Sequence, residues 1–391
     1  MQLPSQSIPP LGANPRRRPL GVWLLWIILA GILGFGINWV RFELRSYSLL
    51  VHFLDPKASG PLLRWESRPI TTQEVMLTTG HGSVEARLYL PAGVSRAPGL
   101  VVVHGIHHLG MDEPRLVSFA RAAAASGLAV LTPQISALAD YHVDAASMAT
   151  IGESAAWLEQ RQSAGPPAVI GVSFGGGLAL LAACDPHYAP HMRILLLMGA
   201  YDDLGRVSRF LATSEAELPD GRKIPYPAHD YGAAVFVYSH LDQFFSPQDN
   251  RAAHEGLREW LWEKPQDAQP WLAQLSPSGR SVLELLMARQ IAQLRPQLLD
   301  AIQADLPQLA ALSPEGRLGN LRVPVYILHG ATDDIIPSTE SLWLERDVPR
   351  QYLRGALITK AFAHVDPSKR ADRREELRLI LFLANFLRAA S

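Results

Sequence analysis

Apolar and polar positions alternate along residues 70–77 and 84–90, on either side of Thr79-Gly80-His81-Gly82. A period of two around a glycine-containing turn predicts a β-hairpin. The next apolar run, 99–103, has no polar positions, as expected of a strand buried on both faces of a parallel sheet. Residues 115–126 have helical spacing and stop at Gly127; 128–132 reads as a strand. Residues 145–163 form the next helical pattern, closed by Gly165-Pro166-Pro167, and the apolar runs 169–172 and 193–198 follow as strands. Strands alternating with helical patterns of this length predict a parallel sheet covered by helices on both faces.

The alternation stops near Asp203. From there to Asn320 helix signals dominate, with one weak strand candidate around Val235. Ser246-Pro247, Ser276-Pro277 and Ser313-Pro314 each offer a capping serine before a proline at the first helical position. Residues 282–294 keep a helical period throughout. Strand patterns resume at 323–328 and 356–359, and residues 372–387 predict a last helix.

The other end of the chain changes the picture. Residues 1–19 are rich in proline, serine and arginine, a composition that favours disorder. Residues 20–41 lack charge until Arg41 and are apolar enough to span a hydrocarbon core of about 30 Å at about 1.5 Å per residue. Trp23, Trp26 and Trp39 suit the interfaces. A cleaved signal peptide is the competing reading, but its apolar stretch is ordinarily shorter. Arg16, Arg17 and Arg18 precede the run, while Arg41 and Arg45 follow it. That bias predicts a single-pass anchor with a cytoplasmic N-terminus and the rest of the chain on the opposite, periplasmic or extracytoplasmic side. The expected organisation is a basic tail (1–19), an anchor (20–41), a juxtamembrane helix and linker (42–66), an α/β core in two parts (67–204 and 321–391), and a helical cap inserted between them (205–320).

Composition excludes more than it selects. Over 391 residues the net charge is −1, which gives no electrostatic footprint for nucleic acid. A lone cysteine, Cys184, excludes an intramolecular disulfide framework and a cysteine-based zinc site.

The chemistry starts at Gly171-Val172-Ser173-Phe174-Gly175, set between a strand and a helix. At such an elbow the serine backbone is strained and its hydroxyl is presented at the edge of the sheet. Serine needs an adjacent base, and that base needs an acid to orient it. Asp333 lies in the loop leaving the strand 323–328, and His364 in the loop leaving 356–359. Asp334, Asp202 and Asp203 are competing acids. Attack on a carbonyl also requires an oxyanion hole. The donors expected are the backbone N–H of Phe174, next to the serine, and of Ile106, after His104-Gly105 at the end of a strand; Gly105 is the alternative to Ile106.

Taken together, His104-Gly105, the pentapeptide around Ser173, His329-Gly330 with Asp333 and Pro337, and His364 resemble the α/β-hydrolase superfamily, in its dienelactone-hydrolase and carboxylesterase-like branch. The resemblance covers about residues 68–200 and 320–390. It implies an eight-stranded, mostly parallel sheet and a Ser173–His364–Asp333 triad acting through an acyl-enzyme, with no cofactor and no metal. The substrate expected is a small-molecule or lipid-like acyl ester; thioester or amide cleavage, acyl transfer, or a binding protein on the same fold are the alternatives. His107 and His108 are expected at the mouth of the site. With His104 they imitate metal-ligand spacing, but no carboxylate or cysteine pattern completes a metal site. Trp260, Trp262 and Trp271 fit either helix packing or an apolar pocket.

Overall fold

The computed structural model describes residues 39–80, 82–363, 366–367 and 372–391. The basic tail, most of the expected anchor at 20–41, and His364 lie outside the described residues. No helix among the described residues is long and apolar enough to cross a membrane. Residues 39–42 are helical, as are residues 43–54, here α1. The expected linker after α1 contains a short helix, α2 (Pro61–Glu66).

The hairpin forms as the alternation predicts. β1 (Ile70–Thr79) pairs antiparallel with β2 (Gly82–Pro91), burying Leu77, Ala86 and Leu88 while Met76 faces outward. The apolar runs then become β3 (Gly99–Val103), β4 (Ala129–Pro133), β5 (Ala168–Val172) and β6 (Ile194–Met198). Between them lie α3 (Pro114–Ala125), the single turn α4 (Ser136–Ala139), α5 (Ala145–Arg161) and α6 (Phe174–Cys184).

After β6 the helices take over, starting with α7 (Leu204–Thr213), whose N-terminus Asp203 caps through its side chain. A small hairpin that sequence reasoning missed, β7 (Glu215–Glu217) with β8 (Lys223–Pro225), follows. Then come α8 (Asp230–Ser239), α9 (Leu241–Phe244), α10 (Asn250–Leu261), α11 (Pro265–Leu272), α12 (Pro277–Met287) and α13 (Ile291–Ala311). The strand candidate at Val235 is helix: residues 232–238 are buried on every side, so no polar face marks a helical period. Ser276 caps α12 as expected, accepting from Gly279 N–H. Ser246 and Ser313 cap nothing. Ser246 instead bonds Asp249, and Ser313 receives the N–H of Leu204 while donating to Leu309. The continuous helix expected over 282–294 breaks at Arg289, whose φ of 57° takes it out of the helical region.

The sheet resumes with β9 (Val325–Gly330), α14 (Thr339–Asp347) and β10 (Leu353–Thr359), and α15 (Arg373–Ala390) closes the chain. The eight strands run β1-β2-β4-β3-β5-β6-β9-β10, antiparallel only where β2 meets its neighbours. Alternate residues divide the two faces. Val101, Val169, Leu195 and Ile327 pack with α5 and α6, while Val102, Ile170 and Leu328 face the space walled by α1, α3 and α15. Strand order reverses between β3 and β5. A crevice outside the carboxyl ends of the strands is expected at such a switch point.

Candidate active site

The loops after β3 and β5 meet at that crevice. Ser173 follows β5 with φ 54° and ψ −128°, an unfavourable conformation for a residue with a side chain, and α6 begins at the next residue. Its N–H still pairs with Met198 O across the sheet (2.8 Å), and its carbonyl receives Gly176 N–H (2.9 Å), so neighbours on both sides enforce the bend. A side chain at position 175 would fall on the backbone oxygen of His104, and a Cβ at position 105 would stand 3.0 Å from that of Ser173. Both glycines therefore let the β3 loop close against the elbow.

Phe174 and Ile106, the residues of the two proposed oxyanion donors, line the same cleft as Ser173. Phe174 is the first residue of α6, and Ile106 follows Gly105; among the described residues neither N–H has a hydrogen-bond partner. His104 fixes the loop. Its Nδ1–H donates to Gly105 O (2.7 Å), and its Nε2 accepts from Ile135 N–H (3.0 Å). Burial pushes its pKa down to about 4, so it stays neutral. Both ring nitrogens are committed to backbone, which removes His104 from any metal-ligand or base role.

Asp333 is fully buried beyond β9. One carboxylate oxygen accepts from Ile335 N–H and Ile336 N–H, both at 3.0 Å. The other lies 3.4 Å from His329 Nε2. His329 is itself locked, donating from Nε2 to Ile336 O (2.9 Å) and accepting from the Ser341 hydroxyl (2.6 Å). The carboxylate thus cannot rotate freely.

The competing acids have other work. Asp202 and Glu340 share the buried Arg206 guanidinium, each at 2.8 Å, and that guanidinium stacks on Trp343 with its centre 3.9 Å from the ring centroid. Burial, then the charge of Glu340, pushes the Asp202 carboxyl up to about 7. One guanidinium between two buried carboxylates leaves an excess negative charge, which a retained proton removes. Glu340 also receives the N–H groups of Asp202 and Asp203, tying α14 to the start of α7. Asp334 lies at the edge of the cleft, and its carbonyl receives His229 N–H (2.7 Å).

Ser173 borders two spaces. A cleft of about 370 Å³ is lined by Phe174, Ile106, His107, His108, His229 and Tyr231, among others. On the opposite side a cavity of about 400 Å³ runs among α1, α3 and α15. His107 and His108 stack on each other, and His108 stacks on Trp262. Burial lowers the pKa of both histidines. Trp260, Trp262 and Trp271 pack against the helical core rather than lining the cleft.

Solved structures share this fold. An acylaminoacyl peptidase of Pyrococcus horikoshii is similar at a TM-score of 0.50 and 12% identity, over 84% of this chain and 43% of its own. The chain has the α/β-hydrolase fold. This chain thus spans less than half of that peptidase. Other α/β-hydrolase-fold chains are similar at lower scores: an esterase domain of a Rhodothermus marinus protein (TM-score 0.41, 14% identity, 82% of this chain and 96% of that one) and an α/β-hydrolase-fold protein of Nakamurella multipartita (0.40, 16%, 80% and 100%). No family model and no curated protein matches the sequence.

Sequence reasoning singled out Asp333 and His329 but had no signal for the N–H groups of Ile335 and Ile336 that hold the carboxylate. It missed Arg206 and Glu340 altogether; a charged residue spaced to face the core of α7 was the available clue.

Proposed function

We propose that this protein is a serine hydrolase that cleaves carboxylic esters. Ser173 Oγ attacks the acyl carbonyl as His364 takes its proton, and Asp333 orients and stabilises the imidazolium. Phe174 N–H and Ile106 N–H receive the developing oxyanion. Collapse of the tetrahedral intermediate expels the alcohol, protonated by His364, and leaves the acyl group on Ser173. Water, deprotonated by His364, attacks the acyl-enzyme; the acid departs and the proton returns to Ser173. The mechanism needs no cofactor. Residues 20–41 anchor the protein in a membrane, with the catalytic region on the side away from the basic tail.

The observation that carries this reading is the strained backbone of Ser173 at the switch point, beside two amides that have no partner among the described residues. Labelling of the full chain by a fluorophosphonate tests it. Wild-type protein should be labelled and Ser173→Ala should not. A folded wild-type chain that resists labelling, or a labelled Ser173→Ala variant, overturns the assignment.

A further inference from the structure

The two spaces at Ser173 differ in chemistry. The cleft presents His107, His108, His229, Glu263, Asp334 and the Tyr231 ring. The cavity on the other side is apolar over most of its wall. Leu50 and Phe53 of α1 face Phe119 of α3 and Ile380 and Leu383 of α15, above Ile170 of the sheet. Arg115 and His107 border both spaces and mark the junction at Ser173. At about 400 Å³ the cavity is large enough for a substantial ligand.

This wall is built rather than incidental. Phe53 and Phe119 meet edge to face at 5.7 Å, and Ser118 Oγ donates to Phe53 O. Ser46 Oγ donates to Ile380 O (2.8 Å), and Glu43 pairs with Arg388 at 3.4 Å. α1 is thereby fastened to both α3 and α15, and the space beneath it opens on the reacting serine.

Resting on the serine-hydrolase reading, we infer that this cavity is the acyl-chain site and that the substrate is an ester of a long aliphatic acid with a polar alcohol. An ester at Ser173 must send its acyl and alcohol parts in different directions. The mostly apolar cavity favours an aliphatic chain, whereas the cleft supplies hydrogen-bonding groups for the alcohol. Long aliphatic chains therefore go under α1, not under the helices of residues 204–311.

The test uses the full chain in detergent with p-nitrophenyl acetate, butyrate, octanoate and dodecanoate. kcat/KM should rise with chain length, by up to about fourfold for each methylene buried. Leu50→Trp fills the cavity, so the octanoate-to-acetate ratio should fall at least tenfold. Leu50→Ala should move the preference toward dodecanoate. His108→Trp, in the cleft, should leave the ratio within twofold. Length dependence that survives Leu50→Trp, or that responds to His108→Trp instead, overturns the inference. Binding of cis-parinaric acid to Ser173→Ala protein separates the two claims. Absence of labelling and turnover with parinaric binding that Leu50→Trp abolishes would sink the hydrolase reading and keep the cavity. Parinaric binding that Leu50→Trp leaves unchanged would sink the cavity assignment.

Discussion

His104→Asn is a direct probe of how the β3 loop is held. Asparagine can still donate to Gly105 O, but it is too short to accept from Ile135 N–H. Leaving that buried amide without a partner should cost about 1–3 kcal/mol at pH 7. The wild-type histidine carries its own acid liability. Its pKa falls from 6.5 in the unfolded chain to about 4 in the fold, because burial opposes the charged ring. The unfolded chain therefore binds the proton more tightly, and stability is lost as pH falls from 6.5 towards 4. The linkage is worth about 3 kcal/mol between pH 7 and pH 4. The asparagine variant lacks this term. Urea unfolding of both proteins across pH 4–7 should show wild type ahead at pH 7 and the gap closed or reversed at pH 4. A gap that stays constant over the whole range would refute the idea that His104 is buried neutral.

Asp202→Asn should act in the opposite sense. The folded state holds the Asp202 proton up to about pH 7, so wild type loses stability as pH rises from about 4 to 7, and the variant should show a shallower decline in urea midpoint. Gly175→Ala forces a methyl onto the His104 carbonyl oxygen and should cost about 1–3 kcal/mol in thermal or urea unfolding, together with loss of fluorophosphonate labelling. Asp333→Asn keeps an acceptor for Ile335 and Ile336 N–H, so the fold should survive; kcat for a short ester should fall on the order of 10⁴-fold.

Local pattern carried much of the fold. The alternation around Gly80 and the uninterrupted apolar runs of β3, β5 and β6 are direct consequences of which faces are buried, so they were readable. Val235 was not, because a helix buried on all sides shows no period. Ser246 and Ser313 have the residue types of caps, but Ser246 bonds nearby Asp249 and Ser313 the distant Leu204 N–H. In the site, Ser173 and Asp333 stand out through short motifs that follow strands. The Arg206–Glu340 pair spans 134 positions, and no local period joins its two members. The same limit hides the cavity: α1 and α15 meet over one face of the sheet, but nearly the whole chain separates them in sequence.

The parts of the site also differ in how far apart in the chain they originate. The bend at Ser173 is secured by neighbours such as Gly176 and Met198, close in sequence. The wall under α1 depends on partners such as Ser46 and Ile380, 334 positions apart. Closing a longer loop costs only modestly more, but an element fastened by a few side-chain contacts opens at lower free energy than the core strands. On the proposed reading, discrimination between substrates is more fragile than reactivity: warming or mild denaturant should first make the protein indifferent to chain length, and only later unreactive.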